Sequence, residues 1–253
     1  MDLQLRDKVV LVTGGSLGLG RTLCLMFAAE GARVVVNHPF REDEAQALVR
    51  EIRSTHGTEA MAVAADVSRE ADVCGMFRQV VQQFSGVDIL INNAAVCPTG
   101  PVKDMTEEAW TRTVQVNLTG AFLCSRELVR HLLAAGRPGR IVNIASVAAF
   151  KGSTTGHAPY DASKGGIVTF TVSLAREVAP HGIAVNAVAP GMMYTEMTSK
   201  TLDANLPKYL ARIPLGRVGT TEEVAGVVLL LASQAASYVT GATLDVSGGM
   251  LMR

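Results

Sequence analysis

A strict alternation of short apolar runs with longer amphipathic segments constrains the fold of this chain more than any other feature. The apolar runs predict seven strands, at residues 8–12, 32–37, 60–64, 87–91, 140–145, 183–188 and 242–246. The segments between them predict helices at residues 21–30, 42–56, 70–84, 106–133, 157–179 and 222–232. Strands that alternate with helices form a parallel sheet that helices cover on both faces. We therefore predict an α/β, doubly wound fold with a seven-stranded parallel sheet.

Length and composition indicate a single domain. The chain has 253 residues, and no linker or internal repeat divides it. Hydrophobic residues make up 48% of the sequence and charged residues 18%, which suits a large buried core. We therefore expect one domain that spans residues 1–253.

The charge balance and hydropathy argue against nucleic-acid and membrane partners. Basic and acidic residues are equal in number, 23 of each, so the chain lacks a basic footprint for nucleic acid. The first five residues lack the apolar run of a signal peptide, and the most apolar stretch, residues 224–232, is too short to cross a bilayer. We therefore expect a cytoplasmic protein.

The cysteines and histidines do not form a recognisable metal or redox motif. The four cysteines lack the spacing of a metal or redox site, and the five histidines include no ligand pair. We expect reduced thiols and no bound metal. Cys97 lies in a predicted loop, where an inert thiol is the simpler interpretation and a place in the site the alternative. His157 is expected at the rim of the site.

A glycine-rich turn follows the first predicted strand. Its spacing is Gly14-x-x-x-Gly18-x-Gly20, which differs from the G-x-G-x-x-G pattern, and a predicted helix begins directly after it. Free backbone N–H groups and the positive end of the helix dipole attract phosphate at such a junction, and glycine lets the backbone approach the ligand. The turn therefore predicts a nucleotide-binding site.

Tyr160 and Lys164 form the most specific chemical signal, 14 residues after Ser146. In a helix they lie one turn apart on the same face. A phenol has a pKa near ~10 and is a poor base at neutral pH, but a nearby ammonium lowers that pKa. A decrease to ~7 requires about 4 kcal/mol, which Lys164 and a positively charged nicotinamide could supply. Alone the pair could be ordinary helix surface; in this context it predicts a general acid/base for alcohol–carbonyl chemistry.

Further candidate site residues lie at or just beyond the carboxyl ends of predicted strands, where ligands bind in parallel sheets. These are Asp66, Asn92, Asn93, Ser146 and the Pro190-Gly191 pair. Each could instead have a structural function, Asp66 as a helix N-cap and Ser146 as the cap of the next turn. Their coincidence at one edge of the sheet favours a site.

Together these motifs resemble the short-chain dehydrogenase/reductase family, from about residue 8 to residue 249. The resemblance implies a Rossmann-type fold and an NAD(P)-dependent oxidoreductase that interconverts a ketone and a secondary alcohol by hydride transfer. It implies that Tyr160 is the acid/base and that Ser146 hydrogen-bonds the reacting oxygen. Lys164 would hold the nicotinamide ribose and lower the pKa of Tyr160, and Asn117 would interrupt a helix and hold a water of the proton relay.

The resemblance also assigns cofactor contacts. Asp66 and Val67 would contact the adenine, Asn92 would lie along the ribose, and Thr195 would contact the carboxamide. The full set of implied cofactor-binding residues is Gly14, Ser16, Leu17, Gly18, Leu19, Gly20, His38, Asp66, Val67, Asn93, Ala94, Tyr160, Lys164, Pro190, Gly191 and Thr195.

Three positions depart from the family pattern. Ala95 replaces the usual glycine, Leu17 replaces the basic residue of many NADP-dependent members, and His38 replaces the acid of NAD-dependent members. Arg41 follows closely enough to assist His38 at a 2′-phosphate. We therefore expect either NADP(H) or NAD(H) to be used, with a modest preference for NADP(H).

Two branches of the family compete for the substrate. Residues 238–241, 195–198 and 247–252 are similar to β-ketoacyl-acyl-carrier-protein reductases, in which basic positions matching Arg137 and Arg176 meet an acidic carrier protein. The substrate loop, about residues 192–214, has few charges and suits a small or partly apolar substrate. We expect a 3-oxoacyl thioester reductase.

The loop at Cys97 and the end of the second strand resemble sugar or polyol dehydrogenases instead, and this is the alternative. A remote alternative is a non-catalytic nucleotide-sensing protein, although such proteins often lose the tyrosine or the lysine. A serine hydrolase would require a G-x-S-x-G motif, which is missing around Ser146.

We also expect a homotetramer. In similar proteins the helical region at residues 106–133 packs against its counterpart in a neighbouring subunit. The carboxyl-terminal segment, residues 246–253, is apolar and would reduce solubility if it were exposed.

Overall fold

The computed structural model describes residues 2–153 and 156–252 and contains one parallel sheet of seven strands. The strands are β1 (Val9–Val12), β2 (Arg33–His38), β3 (Ala60–Ala64), β4 (Ile89–Asn92), β5 (Gly139–Ile144), β6 (Ile183–Pro190) and β7 (Thr243–Val246). Their order across the sheet is β3-β2-β1-β4-β5-β6-β7. The predicted doubly wound fold is confirmed.

Helices connect successive strands. They are α1 (Gly18–Ala29), α2 (Glu42–His56), α3 (Glu70–Phe84), α4 (Glu107–Val114), α5 (Gly120–Ala135), α6 (Ala148–Lys151), α7 (Ala158–Val178), α8 (Ser199–Leu210) and α9 (Thr221–Ala232). The short α6, and α8 within the substrate loop, were not predicted from the sequence. A capping box fixes the start of α9, because Thr220 and Glu223 each accept a hydrogen bond from the other's backbone N–H.

Two hydrophobic cores lie on opposite faces of the sheet. Successive side chains of β1 point to opposite faces, and all four residues of the strand are buried. Val10 and Val12 pack in a core with α1, α2 and α9, whereas Val9 and Leu11 pack in a core with α3, α5 and α7. This two-sided burial explains why the strands are almost continuously apolar.

The strand order determines at which edge of the sheet a ligand would bind. Strand β1 pairs with β2 on one side and with β4 on the other, so the chain crosses over at β1. Ligands of doubly wound sheets bind beyond the carboxyl ends of the strands at such a switch point. The turns that follow β1, β4, β5 and β6 lie at this edge.

The long helix that was predicted at residues 106–133 is divided. Helix α4 passes through a π-helical turn, Gln115–Thr119, before α5 begins. The turn contains the buried Asn117, so the expected interruption of the helix is observed. Such π-turns often occur at functional sites because they displace side chains from the regular helical positions.

Candidate active site

The glycine turn after β1 forms a backbone cradle. Gly14 and Gly18 have φ angles of +60° and +52°, which disfavour residues with a side chain. A Cβ atom on Gly20 would lie 2.1 Å from the Gly14 carbonyl oxygen, and one on Gly14 would lie 3.0 Å from the Cα atom of Ala94. Only glycine fits at position 20, and the close packing leaves the N-terminus of α1 facing the cleft. This surface suits a dinucleotide pyrophosphate.

Thr13 and Asn93 tie this cradle to the end of β4. The Asn93 side-chain amide donates to the carbonyl oxygens of Thr13 and Gly14, at 2.9 and 3.0 Å. The Thr13 hydroxyl accepts from the backbone N–H groups of Asn93 and Ala94. These bonds hold the two loops as one wall of the cleft.

Asn37 supports the same loop, and its function was not predicted from the sequence. It is fully buried on β2. Its carbonyl oxygen accepts from Gly15 N–H at 2.8 Å, and its side-chain oxygen accepts from Gly14 N–H at 3.3 Å. A polar residue within an apolar strand was the available signal, because a buried amide requires hydrogen-bond partners.

The cleft contains most of the residues that were predicted to bind the cofactor. Those that line it are Gly14, Leu17, Gly18, Leu19, Gly20, Asn93, Ala94, Tyr160, Lys164, Pro190, Gly191 and Thr195. Four predicted residues do not line it: Ser16, His38, Asp66 and Val67. Ser16 lies within the glycine turn and is buried. Within the cleft Leu17 presents an aliphatic side chain at the N-cap of α1.

His38 is directed toward α2 and not into the cleft. Its side chain is 1% exposed, its Nδ1 accepts from Arg41 N–H at 3.2 Å, and its Nε2 lies 3.1 Å from a carboxylate oxygen of Glu42. Both ring nitrogens of His38 therefore contact residues at the start of α2, Arg41 and Glu42. This arrangement argues against the predicted direct contact between His38 and the cofactor.

Asp66 and Val67, which were predicted to contact the adenine, have contacts with Ser68, Arg112 and Gly120. The Asp66 carboxylate accepts from Ser68 N–H at 3.0 Å and pairs with Arg112 at 2.9 Å. Burial raises the pKa of Asp66, but the hydrogen bonds from Ser68 and the Arg112 guanidinium outweigh it, so the pKa is lowered. Val67 packs so closely on Gly120 that a Cβ atom there would lie 2.8 Å from the valine. Asp66 thus stabilises the turn before α3, although the N-cap of that helix is Arg69 and not Asp66.

The two asparagines after β4 have different positions. Asn92 is 6% exposed, and its amide donates to Ser125 Oγ at 3.0 Å and to Asn143 Oδ1 at 2.8 Å. The expectation that Asn92 lies along the ribose therefore does not fit its burial in the sheet. Asn93 lines the cleft instead.

Tyr160 and Ser146 meet where the cleft joins a second cavity, and both side chains line both spaces. Burial raises the pKa of the Tyr160 phenol, Cys97 and Asp161 raise it further, and a hydrogen bond with Ser146 opposes them. Ser146 also accepts from Ala148 N–H at 3.1 Å, so it caps a turn as well. In this state the phenol keeps its proton at neutral pH, whereas a lowered pKa of Tyr160 was predicted from the sequence.

Lys164 lies beneath the tyrosine ring. Its side chain is 2% exposed, and its ammonium lies 5.6 Å from the centre of the Tyr160 ring. The Nζ atom donates to the Ile144 carbonyl oxygen at 2.6 Å. Burial lowers the pKa of Lys164 to about 8, with an opposing effect of Cys97. The ammonium is therefore protonated at neutral pH.

Asn117 connects the loop after β4 to α7. Its Oδ1 accepts from Val96 N–H at 2.8 Å, and its Nδ2 donates to the Val96 carbonyl oxygen at 2.9 Å and to Ser163 Oγ at 3.1 Å. The Ser163 hydroxyl in turn donates to the carbonyl oxygen of Tyr160 at 2.7 Å. The side chain thus fixes the backbone that carries the tyrosine.

The second cavity extends from Ser146 and Tyr160 toward the substrate loop. Cys97 and His157 line it, so Cys97 has the position that the sequence analysis gave as the alternative to an inert loop thiol. Burial, followed by the Asp161 charge, raises the pKa of Cys97 to about 11 despite an opposing effect of Lys164, so the thiol is protonated. The loop at residues 192–198 closes one side through Thr198, whose hydroxyl donates to the Met193 carbonyl oxygen.

The arrangement therefore combines a phosphate cradle, a hydroxyl pair and a buried ammonium at one edge of the sheet. The family model described as "Enoyl-(Acyl carrier protein) reductase" matches residues 14–251. The chain belongs to the short-chain dehydrogenase/reductase family. As a member it is an NAD(P)-dependent oxidoreductase that requires a nicotinamide cofactor, and the glycine cradle fits such a group.

Curated relatives match over nearly their whole lengths. The chain is 42% identical to the 3-oxoacyl-[acyl-carrier-protein] reductase of Synechocystis sp. over 249 residues, covering 98% of each chain. It is 40% identical to 3-oxoacyl-[acyl-carrier-protein] reductase FabG of Staphylococcus epidermidis, covering 97% of this chain and 100% of the relative. The enzyme of the same name from Aquifex aeolicus is 40% identical, with 99% and 100% covered.

Solved structures agree with the fold. A short-chain type dehydrogenase/reductase from Mycobacterium marinum superposes with a TM-score of 0.95 at 34% identity and covers 100% of this chain and 98% of its own. The structure of gox2181 gives a TM-score of 0.95 at 36% identity, with 98% and 97% covered. Among the described residues, no helix is long and apolar enough to span a membrane.

Proposed function

We propose that this oxidoreductase reduces a 3-oxoacyl thioester or a similar ketone to the secondary alcohol. The observation that carries the proposal is the placement of Ser146 and Tyr160 beside Lys164, where both hydroxyl side chains line the glycine-cradled cleft and the second cavity. The names of the curated relatives supply the substrate class.

In this proposal the chain's own residues handle the carbonyl oxygen and the proton. The bound nicotinamide cofactor supplies the hydride. The Ser146 hydroxyl binds the carbonyl oxygen, and Tyr160 donates the proton that converts the developing alkoxide into an alcohol. Because its pKa is raised, the tyrosine is protonated and ready to donate at neutral pH. Lys164 binds the cofactor ribose and places a positive charge beneath the phenol, while Asn117 positions the α7 backbone and the water of the proton relay.

For the cofactor, we propose that NADP(H) and NAD(H) are both used, with a modest preference for NADP(H). The cleft has a neutral Leu17 where a strong cation would select a 2′-phosphate. Arg41 lies close to the cleft margin, since its guanidinium is 3.5 Å from Glu196, and Glu196 lines the cleft. Arg41→Ala should therefore reduce kcat/KM with NADPH several-fold more than with NADH. An NAD preference of wild type beyond about a hundredfold, roughly 2.7 kcal/mol, would refute the proposal.

A substrate panel tests the reaction. Purified enzyme is assayed with both reduced cofactors against acetoacetyl thioesters, and with both oxidised cofactors against aldoses and polyols. The proposal expects rapid reduction of acetoacetyl thioesters. Rapid oxidation of an aldose without turnover of thioesters would instead identify a sugar or polyol dehydrogenase. Cofactor binding without turnover of any substrate would favour a nucleotide sensor.

We also propose a homotetramer in the cytoplasm. Partly exposed aromatic residues on α4 and α5, namely Trp110 at 44% and Phe122 at 43%, support an interface there. At the carboxyl end Met250 is buried but Met252 is 73% exposed, which suits a partner subunit. Light scattering should give a tetramer mass, and a stable monomer would refute this proposal.

A carrier-protein partner has less support from the two arginines that suggested it. Arg137 pairs with Asp88 at the amino-terminal edge of the sheet, away from the cleft. Arg176 lies in the last turn of α7, 16 positions beyond Tyr160, or about 24 Å along the helix at 1.5 Å per residue. Neither adjoins the substrate cavity of its own chain, so the proposal rests on the thioester and not on the carrier.

A further inference from the structure

The second cavity, which Ser146 and Tyr160 line, also carries basic side chains. Lys151, Arg212 and His157 line this cavity. Among the described residues that line it, none is an aspartate or a glutamate. Because the chain as a whole has equal numbers of acidic and basic residues, this cavity is a local excess of positive charge.

Neither permanent cation is neutralised by a carboxylate of the described residues. The Lys151 ammonium donates to the Met250 carbonyl oxygen, which leaves its charge uncompensated. The Arg212 side chain forms no hydrogen bond or ion pair with any other described residue, and only its backbone N–H bonds to Tyr209. By contrast, Arg217, which lies five positions after Arg212, forms an ion pair with Glu223 at 2.5 Å.

The carboxylate of Asp161 does not alter this conclusion. Asp161 follows Tyr160 and accepts from Ser153 N–H at 2.7 Å, so it holds the backbone beside the cavity. Burial raises the pKa of Asp161, while the Ser153 N–H and the charge of His157 oppose that change. Asp161 does not line the cavity, and the two cations remain available to a ligand.

Apolar side chains line the same cavity. Met192, Met197 and Tyr209 line it, together with Met250. A ketone whose oxygen lies at Ser146 would therefore share this cavity with apolar side chains and with Lys151 and Arg212. The cofactor phosphates have their own cradle at the glycine turn, so they do not account for these cations.

We propose that the substrate is a ketone that also carries an anionic group, and that Lys151 and Arg212 bind this anion. The inference rests on the proposed function, since it concerns the substrate of the same site. The anion is either a carboxylate of the substrate itself or a phosphate of a thioester-bearing group. Both groups suit a lysine and an arginine as partners.

Two matched substrate pairs distinguish the sources. Acetoacetyl-4′-phosphopantetheine and acetoacetyl-pantetheine differ only in a phosphate, and 4-oxopentanoate and its methyl ester differ in the charge of a carboxylate. The quantity measured is the ratio of kcat/KM for the anionic member to that for the neutral member. In the Lys151→Met/Arg212→Met double variant we expect this ratio to fall about tenfold for the pair that contains the natural anion, mainly through KM, because an anion contact contributes equally to ground and transition states.

Two further variants separate charge from shape. Lys151→Arg keeps the charge and should retain most of the wild-type ratio, whereas Arg217→Met removes a paired arginine outside the cavity and should leave the ratio unchanged. Unchanged ratios for both substrate pairs in the double variant would overturn the proposal.

A binding measurement separates this inference from the reaction itself. Calorimetric titration of the enzyme with NADP⁺ present, a state that cannot reduce a ketone, gives the affinity for each member of the pairs. A preference for the anionic member that the double variant loses supports the inference even if wild type turns over neither ketone. Equal affinity for both members of each pair would overturn it, and absence of all turnover would refute only the proposed function.

Discussion

The burial of Lys164 predicts a characteristic dependence of stability on pH. The pKa of this lysine falls from 10.5 to about 8 in the folded protein because its ammonium is removed from water. Below pH 8 both the folded and the unfolded chain carry the proton, and the folded state bears the full cost of the buried charge. Between pH 8 and 10.5 the folded state loses its proton first, so stability should rise with pH.

The magnitude follows from the two pKa values. A difference of between two and three pKa units corresponds to about 3 kcal/mol, at about 1.4 kcal/mol per unit. Lys164→Met removes the titrating group and keeps most of the volume. The free energy of unfolding of wild type relative to Lys164→Met should therefore increase by about 2–3 kcal/mol between pH 7.5 and pH 10. The raised pKa of Tyr160 acts in the opposite direction only at higher pH, and it is present in both proteins.

Urea unfolding without cofactor, at equal protein concentrations and several pH values, measures this difference. Lys103→Met provides the control, because the Lys103 side chain is 80% exposed and its charge stays hydrated on folding. The control should show no comparable pH dependence. A wild-type–Lys164→Met difference that changes by less than about 0.5 kcal/mol over this range would refute the argument from burial.

Two other predictions concern the cradle and the proton. Gly20→Ala should raise the cofactor dissociation constant at least tenfold and destabilise the protein by about 1–3 kcal/mol, because its Cβ atom would lie 2.1 Å from a carbonyl oxygen. Gly75→Ala within α3 is the control, because the added Cβ atom meets only an ordinary contact and should be neutral or slightly stabilising. Equal changes in stability and cofactor affinity for Gly20→Ala and Gly75→Ala, measured by calorimetry, would contradict the prediction. Because the pKa of Tyr160 is raised, alcohol oxidation should accelerate from pH 7 to 9 while ketone reduction stays nearly constant from pH 6 to 8, and a fall in oxidation over that range would contradict the assignment.

The fold could be predicted because its signals are local and repeated. Each strand is a short apolar run, and α2 and α3 have the bounds that their amphipathic patterns predict. Helix α8 was missed because it is irregular: Asn205 has non-helical angles and Pro207 lies within it. Proline inside a segment normally argues against a helix.

The site was predictable where spacing fixes geometry. Local spacing of a few residues was enough to predict the Tyr160–Lys164 pair and the glycine turn. The orientation of His38 depends instead on contacts around α2, and the pairing of Asp66 with Arg112 joins residues 46 positions apart. The direction of the Tyr160 pKa depends on burial by the whole site, which no local pattern contains.

The turnover of Tyr160→Phe tests the central claim most directly. The substitution removes only the phenolic hydroxyl, so the cofactor dissociation constant, measured by fluorescence or calorimetry, should stay within about threefold of wild type. The kcat for reduction of an acetoacetyl thioester should fall by about 10²–10⁴, the usual contribution of a general acid. A variant that binds the cofactor normally and retains turnover within a few-fold of wild type would contradict the assignment of Tyr160 as the proton donor.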